Sequence, residues 1–194
     1  MKKISVLVGI AVLTTVLLVF CNQPAPKEEV AAANSASMSP DSQVKRGAYL
    51  VSIMGCNDCH TPKKMGPHGP EFDTDRPLSG HPAEMPVAKY DTGTAKNWIL
   101  FNQMLTNYVG PWGTSFSANI TSDSTGIGTW TEAQFFKAIR EGKYLGLDNT
   151  RPLLPPMPWQ EYRKASDEDL RAVFAYLKST KPIKNVVPEA IMRK

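Results

Sequence analysis

Apolar residues recur at helical spacing in three stretches of the chain. Val44, Gly47, Ala48 and Val51 fall at i, i+3, i+4 and i+7, so one face of the segment after Ser39 is apolar. Ser39 stands before Pro40, an N-cap followed by proline at the first helical position. This predicts a helix running to Met54, with Gly55 as its exit. Thr131 and Gln134 have capping-box spacing ahead of Phe135, Ala138 and Ile139, and Gly142 closes that helix. Ser166 and Asp169 open a third helix, whose Leu170, Val173, Phe174 and Leu177 form an apolar stripe. Lys181-Pro182 ends it, and residues 183–194 read as a polar tail.

The stretches between are less periodic. Residues 61–95 read as a long loop with little regular structure. Residues 96–109 carry Trp98, Ile99, Leu100, Phe101, Met104 and Leu105 at roughly helical spacing. They predict a short buried helix or a pair of turns, broken by Gly110-Pro111-Trp112-Gly113. Gly47 sits inside the first helix, where glycine costs about 1 kcal/mol against alanine. Its presence predicts the close approach of another element.

The N-terminus reads as an address. Lys2 and Lys3 precede an uncharged run from Ile4 to Phe20, long for the apolar part of a leader and short for a spanning helix. Two readings stand. In one, Cys21 is the lipidated first residue of a bacterial lipoprotein, although Phe20 occupies the place of a small residue. In the other, the segment stays as an anchor or is cleaved near Ala31-Ala32-Ala33. Either one exports the chain to the periplasmic side of a bacterial membrane. Residues 22–39, rich in Ala, Ser, Pro and Glu without an aromatic, read as a flexible tether. The organisation expected is thus an address over 1–21, a tether over 22–39, a folded domain over 40–182 and a tail over 183–194.

Composition adds limits. Among 194 residues, 21% are charged and 42% hydrophobic, an ordinary soluble make-up. The net charge of +4 falls to about +2 without Lys2 and Lys3, too little for a nucleic-acid footprint. Sixteen Pro and 13 Gly imply long ordered loops, tolerable where a cofactor supplies part of the core.

Cys56-Asn57-Asp58-Cys59-His60 supplies that cofactor. C-x-x-C-H is the attachment pattern of c-type haem: the thiols add across the vinyl groups and the histidine reaches the iron. A zinc site would need a second Cys/His pair at knuckle spacing, which the chain lacks. A redox dithiol would need a βαβ setting, which the flanks do not suggest. Export agrees with this reading, because bacteria attach haem c outside the inner membrane. The long loop after His60 then has a reason, to wrap one haem face. A proximal histidine donates its second ring N–H to an acceptor, and the Gly69-Pro70 backbone is the candidate. Lys63 and Lys64 are candidates for steering an acidic partner, against a solvated turn. Trp112 and Asn119 are candidates for holding the propionates, against plain loop packing.

The sixth ligand decides between functions. Met157 is bracketed by Pro155, Pro156 and Pro158, which stiffen the backbone around a weak neutral ligand. That makes Met157 the expected axial partner of His60. His68 is the main rival and His81 the next. Met54 lies too near Cys56, and Met65, Met85, Met104 and Met192 have no comparable frame.

The order of these parts resembles a class I cytochrome c. Asn119-Ile120-Thr121, Thr125 to Trp130, and Pro155 to Trp159 resemble, in order, motifs of single-haem domains in bacterial periplasmic and membrane-associated cytochromes. These include cytochrome subunits of alcohol and aldehyde dehydrogenases. The likeness spans about residues 44–180. It implies a small all-α fold in which the first and last helices cross, fitting Gly47 against Phe174 or Tyr176. It also implies His/Met ligation and one-electron transfer. Many such subunits carry several C-x-x-C-H motifs, whereas this chain has one.

Two functions follow. The first is an electron carrier with one covalent haem c, ligated by His60 and Met157. Its partner is a dehydrogenase, a quinol-oxidising complex or a terminal oxidase. The second is a haem enzyme or gas sensor with an open sixth site. For that, Arg151 and His81 are the only nominees as distal groups.

Overall fold

In the computed structural model, residues 38–193 are described. The segments expected as address and tether lie almost wholly outside them. No helix among the described residues is long and apolar enough to cross a membrane.

Helix α1 spans Pro40–Ile53, and Ser39 Oγ accepts from Ser42 N–H at 3.3 Å. Helix α5 spans Asp167–Ser179. Ser166 Oγ accepts from Asp169 N–H at 3.0 Å, and Asp167, Glu168 and Asp169 place negative charge on its positive end. The two helices cross at Gly47. A Cβ there would lie 2.6 Å from Tyr176 Cβ and closer still to the Ala172 carbonyl oxygen, so only glycine admits this approach. Arg46 pairs with Asp169 at 2.5 Å beside the crossing.

Helix α3, Glu132–Glu141, starts in the Thr131/Gln134 capping box and stops at Gly142, whose φ is +66°. Its buried Phe135 stacks on Phe174 of α5 with centroids 5.1 Å apart. Val51, Leu78, Ile127, Phe135, Ile139, Leu170, Val173 and Leu177 make the core. The short helices are α2, Cys56–His60, and α4, Trp159–Tyr162.

The fold is not all-α, as the resemblance implies it should be. Six strands form two antiparallel sheets among the described residues. β1 (Lys63–Gly66) pairs with β2 (Gly69–Phe72). A second sheet has the order β3 (Leu100–Phe101), β4 (Asn107–Gly110), β5 (Gly113–Phe116), β6 (Ile191–Met192). The reason lies in a repeated tetrapeptide. Gly66-Pro67-His68-Gly69 and Gly110-Pro111-Trp112-Gly113 each join two strands through a two-residue connection. The proline fixes one φ, and Gly69 (+125°) and Gly113 (+117°) supply positive ones. Tyr108, Val109, Thr114 and Phe116 are β-branched or aromatic and suit the flanking strands.

Of the short buried helix or pair of turns expected within 96–109, turns form at 97 and 103–104 and no α-helix does. Trp98 and Phe101 are 66% and 63% exposed, so their apolar spacing faces no core. Asn102 Oδ1 accepts from Met104 N–H at 3.0 Å, a local turn that competes with helix. Residues 183–193, expected as a polar tail, run along the domain. Ile191 pairs with Thr114, and Gly113 has no Cβ to obstruct the Ile191 carbonyl.

Candidate haem site

Gly55, at φ +68°, turns the chain from α1 into α2. In α2, Cys56 and Cys59 stand three residues apart on one helical face, with His60 at the end. Lys63 folds back to donate to the Asp58 carbonyl, and to that of Thr61 at 3.2 Å, capping the helix C-terminus. Lys64 lies 3.9 Å from both Asp73 and Asp75. Both lysines are thus engaged within the protein.

The thiols are half-buried. Burial pushes the Cys56 thiol up to about 11, the wrong direction for a reactive dithiol. Buried Tyr108 lies beside Cys59, and its hydroxyl donates to the Leu105 carbonyl. Tyr162 donates to the Met54 carbonyl at 2.5 Å. Burial, then the neighbouring Cys56, Cys59 and Asp58, push its phenol up to about 12.

His60 Nδ1–H donates to the Ala118 carbonyl at 2.7 Å, not to the expected Gly69-Pro70 backbone, which belongs to β2. The acceptor fixes the tautomer. With its proton on Nδ1, the ring keeps a lone pair on Nε2 for a metal. Burial holds the His60 pKa below its ordinary value, partly offset by the Ala118 carbonyl, and so favours the neutral ligand form. Gly80 N–H donates to the His60 carbonyl at 2.7 Å.

The rival ligands sit elsewhere. His81 is fully buried. Its Nε2–H donates to the Met85 carbonyl at 3.1 Å, and Nδ1 accepts from the Thr106 hydroxyl at 3.0 Å. Both nitrogens are spent. His68 is exposed at the tip of the β1–β2 hairpin. Arg151 lies 3.8 Å over the Tyr144 ring and donates to the Pro152 carbonyl at 3.1 Å. Of the propionate candidates, Trp112 Nε1–H donates to Ser115 Oγ, and buried Asn119 donates to Thr125 Oγ1 and the Ile183 carbonyl and accepts from Thr121 N–H.

Met157 is half-buried and packs on the same core cluster as Cys56, Met54, Ile120 and Trp130. Its segment is tied down at Pro155, whose carbonyl accepts from the Ser115 hydroxyl at 2.7 Å. Trp159 N–H returns to the Met157 carbonyl at 2.9 Å.

These residues fit a haem. Two thiols share a helical face, an imidazole is held by its far nitrogen, and an apolar cluster carries a framed thioether. No group of three or more His, Cys, Asp or Glu converges among the described residues. The Ala118 acceptor escaped the sequence reading because a backbone carbonyl has no side-chain signature.

The arrangement is compatible with a c-type haem, and the relatives found are cytochrome c subunits. No protein-family model matches the chain. It is homologous to cytochrome c subunits of bacterial dehydrogenases. It is 32% identical to the gluconate 2-dehydrogenase cytochrome c subunit of Pantoea cypripedii over 75% of the chain and 25% of that protein. It is 28% identical to the fructose dehydrogenase cytochrome subunit of Gluconobacter japonicus over 89% of the chain and 28% of that protein. It is 27% identical to the alcohol dehydrogenase (quinone) cytochrome c subunit of Gluconobacter oxydans over 78% of the chain and 24% of that protein. The chain spans about a quarter of the length of the cytochrome subunits it matches.

Proposed function

We propose that the chain is an electron carrier, not an enzyme, holding one haem c. Cys56 and Cys59 form the thioethers, and His60 and Met157 are the axial ligands. The observation that carries this reading is the 2.7 Å bond from His60 Nδ1–H to the Ala118 carbonyl, which directs the Nε2 lone pair outward. When bound, the haem supplies a single redox electron at its iron. The chain does the rest. Its half-buried thiols anchor, His60 presents a neutral nitrogen, and Met157 is seated against the apolar core. The Ser115 tie keeps the thioether segment from swinging away.

The partner we propose is a dehydrogenase, as the relatives' names indicate, with a quinol-oxidising complex or terminal oxidase as the other redox neighbour. We place the protein on the periplasmic side of a bacterial membrane, attached through its N-terminus by lipid at Cys21 or by an anchor. The test is the absorption spectrum of the reduced, haem-loaded protein before and after carbon monoxide. An unchanged low-spin spectrum supports two protein ligands and electron carriage. A shift on adding carbon monoxide would open the sixth site and replace this reading with a haem enzyme or gas sensor.

A further inference from the structure

The carbonyl that accepts from His60 Nδ1–H belongs to Ala118, an exposed loop residue. Its position is set by the pairing of 78–81 with 117–120. His81 N–H donates to the Ser117 carbonyl at 2.9 Å, and Ile120 N–H to that of Leu78 at 3.0 Å. Gly80 lacks the Cβ that would strike the Ser117 and Ala118 backbone at 2.5 Å.

The outer edge of this pair is covered by one side chain from the C-terminal segment. Asn185 Nδ2 donates to the Ser79 carbonyl at 2.7 Å and to that of His81 at 2.8 Å. Its Oδ1 accepts from Ala83 N–H at 3.0 Å. A single amide thus replaces a third strand. Asn119, next to Ala118, is bound to the same segment. Its Nδ2 donates to the Ile183 carbonyl at 2.8 Å and to Thr125 Oγ1 at 3.1 Å, while Asn185 N–H donates to Thr125 Oγ1 at 2.9 Å.

We propose that Asn185 is a positioning residue for the proximal histidine. Acting with Asn119, it holds the Ala118 carbonyl on the His60 Nδ1–H axis and so sets how basic Nε2 is toward the iron. This deepens the haem reading above and rests on it. A loosened acceptor gives a less basic Nε2, which donates less to the iron and favours the reduced state.

The test uses the full, haem-loaded chain. Asn185→Asp keeps the shape but removes both donors and turns an oxygen toward the carbonyls of Ser79 and His81. Ser122→Ala is the control: it removes another tie to the same end of the chain, the bond to the Thr180 carbonyl, without touching the 78–83 or 117–120 pairing. The expected result for Asn185→Asp is exchange of the His60 Nδ1 proton about tenfold faster by NMR of the reduced protein, the weight of one hydrogen bond. The midpoint potential should rise, and Ser122→Ala should move neither. If Asn185→Asp does not accumulate, Asn185→Ser makes the same comparison. Wild-type exchange and potential in a merely less stable Asn185 variant would overturn the proposal, as would equal shifts in Ser122→Ala. A wild-type chain that never binds haem covalently would instead sink the haem reading itself.

Discussion

Gly47→Ala sets two effects of opposite sign against each other. On propensity alone, alanine in the interior of α1 should stabilise by about 1 kcal/mol. At the crossing, the added methyl would sit 2.6 Å from Tyr176 Cβ and from the Ala172 carbonyl carbon. Ordinary van der Waals contact begins near 3.4 Å, so α1 and α5 must separate by roughly 1 Å along a buried seam. The obstacle is backbone, which cannot rotate aside. The cost belongs at the upper end of the 1–3 kcal/mol range for overpacking. The net is a loss of about 2 kcal/mol, or about 4–8 °C in Tm at 2–4 °C per kcal/mol. Thermal unfolding of the haem-loaded protein, followed in the far ultraviolet, measures it. A Gly47→Ala variant about 1 kcal/mol more stable than wild type would mean that the helices do not meet there and that propensity alone governs the site.

Other predictions follow from the site. Met157→Ala should let carbon monoxide bind the reduced protein and should lower the midpoint potential; an unchanged spectrum and potential would remove Met157 from the ligand set. Ser115→Ala orphans the Pro155 carbonyl and the Trp112 N–H, at about 1–2 kcal/mol. It should speed the displacement of Met157 by carbon monoxide in stopped-flow mixing, and an unaltered rate would show that the tie does not hold the segment. Burial lowers the pKa of His81, which faces Thr106, the Met85 carbonyl, Phe116 and the carboxylate of Glu84; the Met85 carbonyl and then Glu84 oppose the shift. The unfolded chain therefore binds the proton more readily, so stability should fall as pH drops below about 6.5 and level off above it. Urea titrations at several pH values check this, and His81→Gln should flatten the slope.

What could be read from the sequence was local chemistry with a side-chain signature. The caps at Ser39, Thr131 and Ser166, the stripe of α5 and the out-of-place Gly47 each announce themselves within a few residues. The strands do not. Each is short, and the Gly-Pro-x-Gly connections resemble plain helix breakers unless both occurrences are compared. Trp98, Ile99 and Phe101 imitated a buried face while standing in solvent. His81 reads as a spare ligand until Thr106 and Met85 are seen to claim both nitrogens. The Ala118 carbonyl and the Asn185 amide act across 58 and more than 100 positions of chain, beyond any short-range pattern.

The crossing of α1 with α5 joins the first helix of the domain to its last, and β6 joins residue 191 to β5. Closure of this domain is therefore a late event in its synthesis. A chain cut short before Asp167 would leave Val51 without Leu170 and Val173, and the β5 edge without a neighbour. Such incomplete products would expose an apolar stripe and an unpaired strand edge, features that make a chain prone to aggregation. Within this domain, contacts between residues so far apart in sequence should slow folding.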